Sequence, residues 1–420
     1  MNPETNFMVI TKSETLPSDF ESKLAAYGEI VNTIPEIGIV VVKPTVANFK
    51  SKVSKLQQVL AVVHDFEINW IDPLKVFPAE NPPSIGDDEP YFWIQWGMDA
   101  IDAPEAWNEE YTGSNTRVCI LDTGIDSEHP DLDENLNIGL STSFVPNEDY
   151  IDDEHGHGTH VAGIIAAEDN SSGVIGVAPD AEIVAVKVLN KKGSGAFSWI
   201  NEGIVYAADI EADVINMSLG GTLNRNGYYI EEGILVKYPP DENLFLMLAQ
   251  QRAVNYAFRN GVTIISTAGN EAQNYDGNGS WIKLPAELQN VIVTSATAPY
   301  NWYVNPDGSL DLPASYTNYG RSLVDIAAPG GDYLLYPNGA WMYDMVLSTY
   351  PGSYAFIAGT SMASPHVAGV AALIIGKNGG EMDPHEVTKQ LLKTADKIDG
   401  QGISPYFGFG RVNAYRAVTE

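Results

Sequence analysis

From residue 117 onward, short runs made almost wholly of apolar and β-branched residues recur at intervals: RVCILDTG, EIVAVKVL, DVINMSLGG, VTIISTAGN and VIVTSAT. Between them lie longer amphipathic stretches such as FSWINEGIVYAADIEA and LFLMLAQQRAVNYAFRN. A strand that is apolar on both faces must be covered on both, and strands separated by helix-length segments run parallel. The pattern therefore predicts an α/β fold with a mostly parallel central sheet between helical layers. In such folds, loops that carry chemistry gather at the carboxyl ends of the strands.

The first part of the chain follows another rhythm. FMVITK, SDFESKLAAYG, EIVNTIPEIGIVVVK, VANFKSKVSKLQQV and AVVHDFEI read as β-α-β-β-α-β over residues 7 to about 72. This predicts a small α+β, ferredoxin-like domain over 1–75. The proline- and acid-rich run DPLKVFPAENPPSIGDDEP reads as an exposed linker, 76–89, which leaves 90–420 to the large domain. Residues 1–85 carry a net charge of only −3 out of the −32 of the whole chain, so the acidity belongs to the large domain.

An apolar content of 44% with 19% charged residues describes a globular protein and excludes a disordered acidic chain. A net charge of −32 opposes nucleic acid and anionic membranes as partners. No stretch approaches the roughly 18–20 apolar residues of a membrane span. The opening MNPETNFMVITKSE lacks the basic, apolar, small-residue order of a secretory signal. The expected location is extracellular, with a signal removed before this sequence starts, and cytoplasmic is the alternative. Cys119, the single cysteine, has no intrachain partner and falls within a strand run, where it reads as core.

Three segments place a polar residue at a strand end or helix start among glycines and small residues: LDTGID with Asp122, HGHGTHVAGIIAA with His157, and GTSMASPHVAGVAALII with Ser361. A serine hydroxyl needs a base to take its proton, and an imidazole base needs a carboxylate to fix its tautomer. The segments supply one of each. Ser361 begins an apolar helix whose positive end favours an oxyanion, and Asn270 in STAGNEA is placed to donate a second hydrogen bond to it. A zinc site built on His155, His157 and His160 would need further ligands at suitable spacing.

The order Asp, His, Asn, Ser in these contexts resembles the subtilisin-like serine proteases, the subtilases, over residues 90 to about 418, and the preceding segment resembles their inhibitory propeptide. The resemblance implies a three-layer sandwich and a serine endopeptidase made as a self-inhibited proenzyme. It makes His157 the base, His160 a structural histidine, and His155 a solvated loop residue. Two glycine-rich strips, Gly193, Ser194 and Gly195, and Ser218, Leu219, Gly220 and Gly221, resemble the strands that pair with extended substrate. Alignment back from Pro285 puts Lys283 near the floor of the first specificity pocket, where a cation favours an acidic residue before the scissile bond.

Structural calcium is also implied, with side-chain ligands Asp131 and Asn170 and backbone carbonyls of Glu168, Ser172 and Val174. Asp88 would add a carboxylate, with Glu89 competing for that role. The expected partners are a protein or peptide substrate and the chain's own propeptide, with no nucleic acid, no membrane and a monomeric state. A narrow processing (leader) peptidase and an inert autoinhibited scaffold are the rival readings.

Overall fold

The computed structural model describes residues 6–71, 77–78, 89–231, 234–237, 239–400 and 402–420. The chain opens with β1 (Asn6–Thr11), α1 (Phe20–Leu24), β2 (Gly28–Ile34), β3 (Ile39–Pro44), α2 (Phe49–Val53) and β4 (Val59–Asp65), the order read from the sequence. The strands form an antiparallel sheet, β2-β3-β1-β4. Alternation sorts its two faces. Phe7, Val9, Val40 and Val42 join Phe20, Leu24, Phe49 and Val53 in a small core, whereas Met8, Ile10, Ile39 and Val41 belong to a cluster shared with the large domain.

Beyond β4 come β5 (Glu67–Asn69), β6 (Phe77–Pro78), α3 (Trp96–Ala100) and α4 (Ala103–Asn108). The large domain continues with β7 (Arg117–Asp122), β8 (Thr142–Ser143), α5 (His157–Ala166), β9 (Glu182–Lys187), β10 (Ser194–Ala196), α6 (Phe197–Asp209) and β11 (Val214–Met217). After it come β12 (Gly221–Asn224), β13 (Tyr228–Glu231), β14 (Ile234–Lys237), α7 (Pro240–Arg259), β15 (Thr263–Thr267), β16 (Trp281–Leu284) and β17 (Ile292–Ala298). The last elements are β18 (Leu312–Pro313), β19 (Ile326–Pro329), β20 (Val346–Tyr350), β21 (Ser353–Ile357), α8 (Thr360–Lys377), α9 (Pro384–Thr394) and α10 (Ala414–Thr419).

The central sheet runs β18-β17-β15-β11-β7-β9-β8, with β19 also on β17, and every pairing is parallel except that of β18. Val118 and Ile120 of β7 point to the α5 and α8 side, while Cys119 and Leu121 point to α6 and α7. Burial pushes the Cys119 thiol far above its usual pKa, so it is an inert core residue as expected. Helix α8 is buried along residues Thr360–Ile375 and threads the interior, as a helix apolar all round must. Gly369 lets it approach α5's side of the core: a Cβ there would stand 2.5 Å from Val177. Among the described residues, no helix is long and apolar enough to cross a membrane.

The two domains meet where the outer face of the small sheet covers α6 and α7. Polar contacts pin this seam. Glu242 on α7 takes hydrogen bonds from Lys50 and from His64 Nδ1, the latter at 2.9 Å. Arg252 donates to the carbonyls of Thr11 and Ile37. Asp65 accepts from the hydroxyl of Ser198 at 2.6 Å, and Asn32 donates to Glu202. Burial pushes Asp65 up to about 6, against the Ser198 hydrogen bonds, and Glu202 up to about 7, against the Asn32 bond.

A carboxyl whose pKa is raised by docking holds its proton more tightly when docked. That contribution is complete below the free value near 4 and fades as pH rises through about 6 to 7. Docking of the small domain is therefore expected to weaken from pH 4 to 7 and then level off. Amide exchange at Trp70, corrected for intrinsic rate, should accelerate over that window, and an exchange rate that falls or stays flat would refute the linkage.

Candidate active site

The carboxyl ends of β7, β11 and β15 and the starts of α5 and α8 converge on one edge of the central sheet. His157, the first residue of α5, sets its Nδ1 2.7 Å from Oδ1 of Asp122, the last residue of β7. Both side chains are fully buried. Asp122 Oδ1 also accepts the Thr123 backbone N–H at 2.8 Å.

Asp153, in the acidic run before α5, fixes this corner. Asp153 is buried and accepts from the Thr123 hydroxyl at 2.7 Å, from Gly156 N at 3.0 Å, and from the backbone and hydroxyl of Thr159. It thereby ties the loop after β7 to the start of α5. Lys187, also fully buried, donates to the carbonyls of Thr123 and Asp152 and pairs with Glu148 at 3.1 Å. An acidic residue four before a helical histidine was the only sequence signal for Asp153, and an acidic run looks the same whether it faces water or the core.

Ser361 lies in the first turn of α8. Its hydroxyl donates to the Ser218 carbonyl at 3.1 Å, and His157 Nε2 has no hydrogen-bond partner among the described residues. Asn270 follows β15 and accepts Thr360 N at 2.9 Å and the Thr360 hydroxyl at 2.7 Å through Oδ1. Those bonds orient its amide, and Asn270 Nδ2 and Ser361 N lie in one neighbourhood, 3.8 and 3.6 Å from the position a Cβ on Gly359 would occupy.

Both glycine-rich strips are occupied by the chain itself. Ser194–Ala196 pairs antiparallel with Glu67–Asn69, Trp70 N donates to Gly193 O at 3.2 Å, and Gly220 N donates to Trp70 O at 2.8 Å. Trp70 is 2% exposed, donates Nε1–H to Gly195 O at 2.8 Å and packs edge-on against Phe197. Gly221 is required here: a Cβ would stand 2.5 Å from Ile68 and 3.1 Å from the Trp70 ring. Leu219 is buried, and the Ser218 hydroxyl meets Ser361 O and Ser364 Oγ, each at 2.8 Å.

Lys283 differs from the free cation expected. It lies in β16 beside Gly220 and Gly269, 2% exposed, with Nζ 2.5 Å from Glu271 Oε1 and 3.3 Å from Thr222 Oγ1. Against the opposing push of burial, the Lys283 charge holds the Glu271 carboxyl below its usual range. Glu271, only one residue past Asn270, was missed as its partner.

Of the three histidines, His160 donates to Ala355 O at 3.0 Å, and burial holds its pKa near 3, so it is a neutral structural residue as read. His155 is not the solvated loop residue expected. Its Nδ1 is enclosed, and its ring stands edge-on 6.0 Å from the His157 ring. Tyr350 holds the adjoining backbone: its hydroxyl donates to His155 O and its ring covers Gly156, whose φ is +82°.

Asp131 is fully buried, with Oδ2 accepting Val174 N at 2.9 Å and Oδ1 without a partner among the described residues. Burial pushes its pKa up to about 6. Asn170 donates to Pro130 O, and Glu168 Oε1 accepts Glu134 N, so the side chain of Glu168 is spent on the neighbouring loop. Glu89 accepts Ser171 N at 3.2 Å beside Asp169, and burial raises it to about 7. Asp88 lies outside the described residues. No cluster of three or more His, Cys, Asp or Glu among the described residues is arranged to hold a metal. The orphaned Asp131 oxygen next to the 168–174 loop, where carbonyls rather than acids would complete an oxygen cage, nonetheless fits a hard cation.

A sequence profile of the subtilase family matches residues 113–410. Thermitase of Thermoactinomyces vulgaris is 39% identical over 337 residues, spanning 79% of this chain and 98% of thermitase. A thermophilic serine proteinase of Bacillus sp. strain AK1 is 36% identical over 400 residues, 93% of this chain and 84% of its own. Among solved structures, the epidermin leader peptide processing serine protease of Staphylococcus aureus superposes with a TM-score of 0.78 at 25% identity, covering 98% of this chain and 97% of that one.

Proposed function

The chain belongs to the subtilase family and is a serine endopeptidase, and from that premise we propose a self-inhibited proenzyme in which Ser361, His157 and Asp122 cleave peptide bonds. The observation that carries the reading is the buried 2.7 Å contact of Asp122 with His157 on a helix that packs against α8, whose first turn carries Ser361. The Ser361 hydroxyl turns from the Ser218 carbonyl to His157 Nε2 and attacks the substrate carbonyl as its proton passes to the imidazole. Asp122 holds the tautomer and stabilises the imidazolium. Asn270 Nδ2 and the Ser361 N–H stabilise the oxyanion. The imidazolium then protonates the departing amine, and water releases the acyl group by the same steps in reverse.

The antiparallel pairing of 67–69 with β10 supports the inhibitory role of the small domain, since it takes the strips that substrate would use. The processing segment, 76–89, lies outside the described residues except for 77, 78 and 89. Residues Asp131 and Asn170 and the carbonyls of Glu168, Ser172 and Val174 would hold calcium, which would add rigidity to the loop beside α5. An extracellular, monomeric enzyme fits the acidic large domain. A narrow leader-processing role is the second reading, favoured by the solved relative whose name carries that activity.

Lys283 closes the first specificity pocket, and because Glu271 already matches its charge, an acidic residue before the scissile bond gains little from it. Side-chain libraries should show less than about threefold preference for Glu over Gln there, rising to about tenfold in Glu271→Gln. A strong acid preference in the unaltered enzyme, or none in the variant, would overturn this account.

Ser361→Ala should leave the chain at full length and cut turnover by about four to six orders of magnitude, whereas Asn270→Ala should process slowly and lose about two to three. A Ser361→Ala chain that still matures in isolation would refute self-cleavage. For calcium, a chelator should lower the thermal midpoint of the natural chain but not of Asp131→Asn. Equal midpoints with and without chelator in the natural chain would remove the ion from the account.

A further inference from the structure

His155 is a titratable side chain that the hydrolytic steps do not use, yet it stands at the groove. Its Nε2 lies 3.3 Å from where a Cβ on Gly193 would be, and the Cβ of Ile71 lies 3.3 Å from the same point. Gly193 O in turn accepts the N–H of Trp70, so ring and Ile71 flank one backbone unit of the occupied strip. The other edge of the ring meets His157, and its enclosed Nδ1 has no partner among the described residues. We propose that His155 is a specificity-determining residue: it walls the subsite that Ile71 fills, and its protonation turns that subsite from one suited to apolar side chains into one that accepts an acidic side chain.

The groups around the ring set the direction. Burial and then the neighbouring His157 lower its pKa, Asp122 and Asp153 oppose them, and Lys187 adds to the lowering. Glu154, next in the chain, is exposed and paired with Lys191 at 3.2 Å, so it offers no stable partner to the ring. The imidazole is accordingly neutral at neutral pH and gains its charge on the acid side of the ordinary histidine range. A neutral ring beside Ile71 offers packing, whereas a cationic one both penalises an apolar neighbour and attracts a carboxylate. No step of the hydrolysis changes, only which peptides enter.

This inference rests on the proposed peptidase reading. Its test is the ratio of kcat/KM for Glu against Leu at each of the four positions before the cut, measured from pH 8 to pH 5.5. Titration of His157 cancels in the ratio because both substrates share it. At one position the ratio should rise about twofold to fivefold on acidification, and it should stay flat there in His155→Asn and His155→Gln. A ratio that is flat at all four positions in the unaltered enzyme, or that rises equally in both variants, would overturn the role of His155. Absence of any cleavage would instead count against the peptidase reading.

Discussion

A buried carboxylate is tolerable only when hydrogen bonds and compensating charge surround it, and the Asp122–His157 pair imposes that condition on the whole catalytic edge. Asp122 ends a strand enclosed on both faces, so water cannot supply the missing partners. The Thr123 N–H and the His157 ring do so at Oδ1, while Oδ2 has no hydrogen-bond partner among the described residues. Asp153 then holds the loop after β7 and the start of α5 in mutual register through Thr123, Gly156 and Thr159. On the proposed mechanism, two members of the proton relay are thus fixed by side chains that do not themselves meet substrate.

The groove obeys a different constraint. An edge strand has backbone groups that must pair with something, and pairing through the backbone tolerates almost any sequence. Residues 67–70 satisfy β10 and Gly220 in this way, with Ile68 and Trp70 seated over Gly221. On the proposed reading, selectivity comes from the walls: Phe197 against Trp70, the Lys283–Glu271 pair between two glycines, and the ring of His155. Each wall is built from parts distant in the chain.

That division explains what the sequence made legible. Continuous apolar strands left little choice but a parallel sheet, and period-2 patterning in the first 65 residues encoded both faces of the small domain. Asp122, His157, Asn270 and Ser361 stood out because each terminates or begins an element whose periodicity is strong. The charge partner of Lys283 is not legible, since nothing local says that Glu271 folds back onto β16. His155 reads as solvated because nothing local says that its ring comes to lie against Gly193, with Ile71 alongside. Asp153 was hidden by its acidic neighbours, which do face water.

The resting position of the Ser361 hydroxyl follows from how α8 is latched to the sheet. Ser218, at the end of β11, accepts that hydroxyl through its carbonyl while its own hydroxyl donates to the Ser361 carbonyl. The latch fixes the helix start; on the proposed mechanism the hydroxyl bond is the part of it that breaks for attack. A neutral hydrogen bond of this kind contributes about 1 kcal/mol net, and on the proposed mechanism a bond to His157 Nε2 replaces it. Asn270 is held differently. Its oxygen is committed to Thr360, so its nitrogen is left as a donor in the same neighbourhood as the Ser361 N–H, where both can serve one acceptor. On the proposed mechanism the nucleophile is therefore free to rotate while the oxyanion donors are not, which is the combination that stabilises developing charge without reorganising the site.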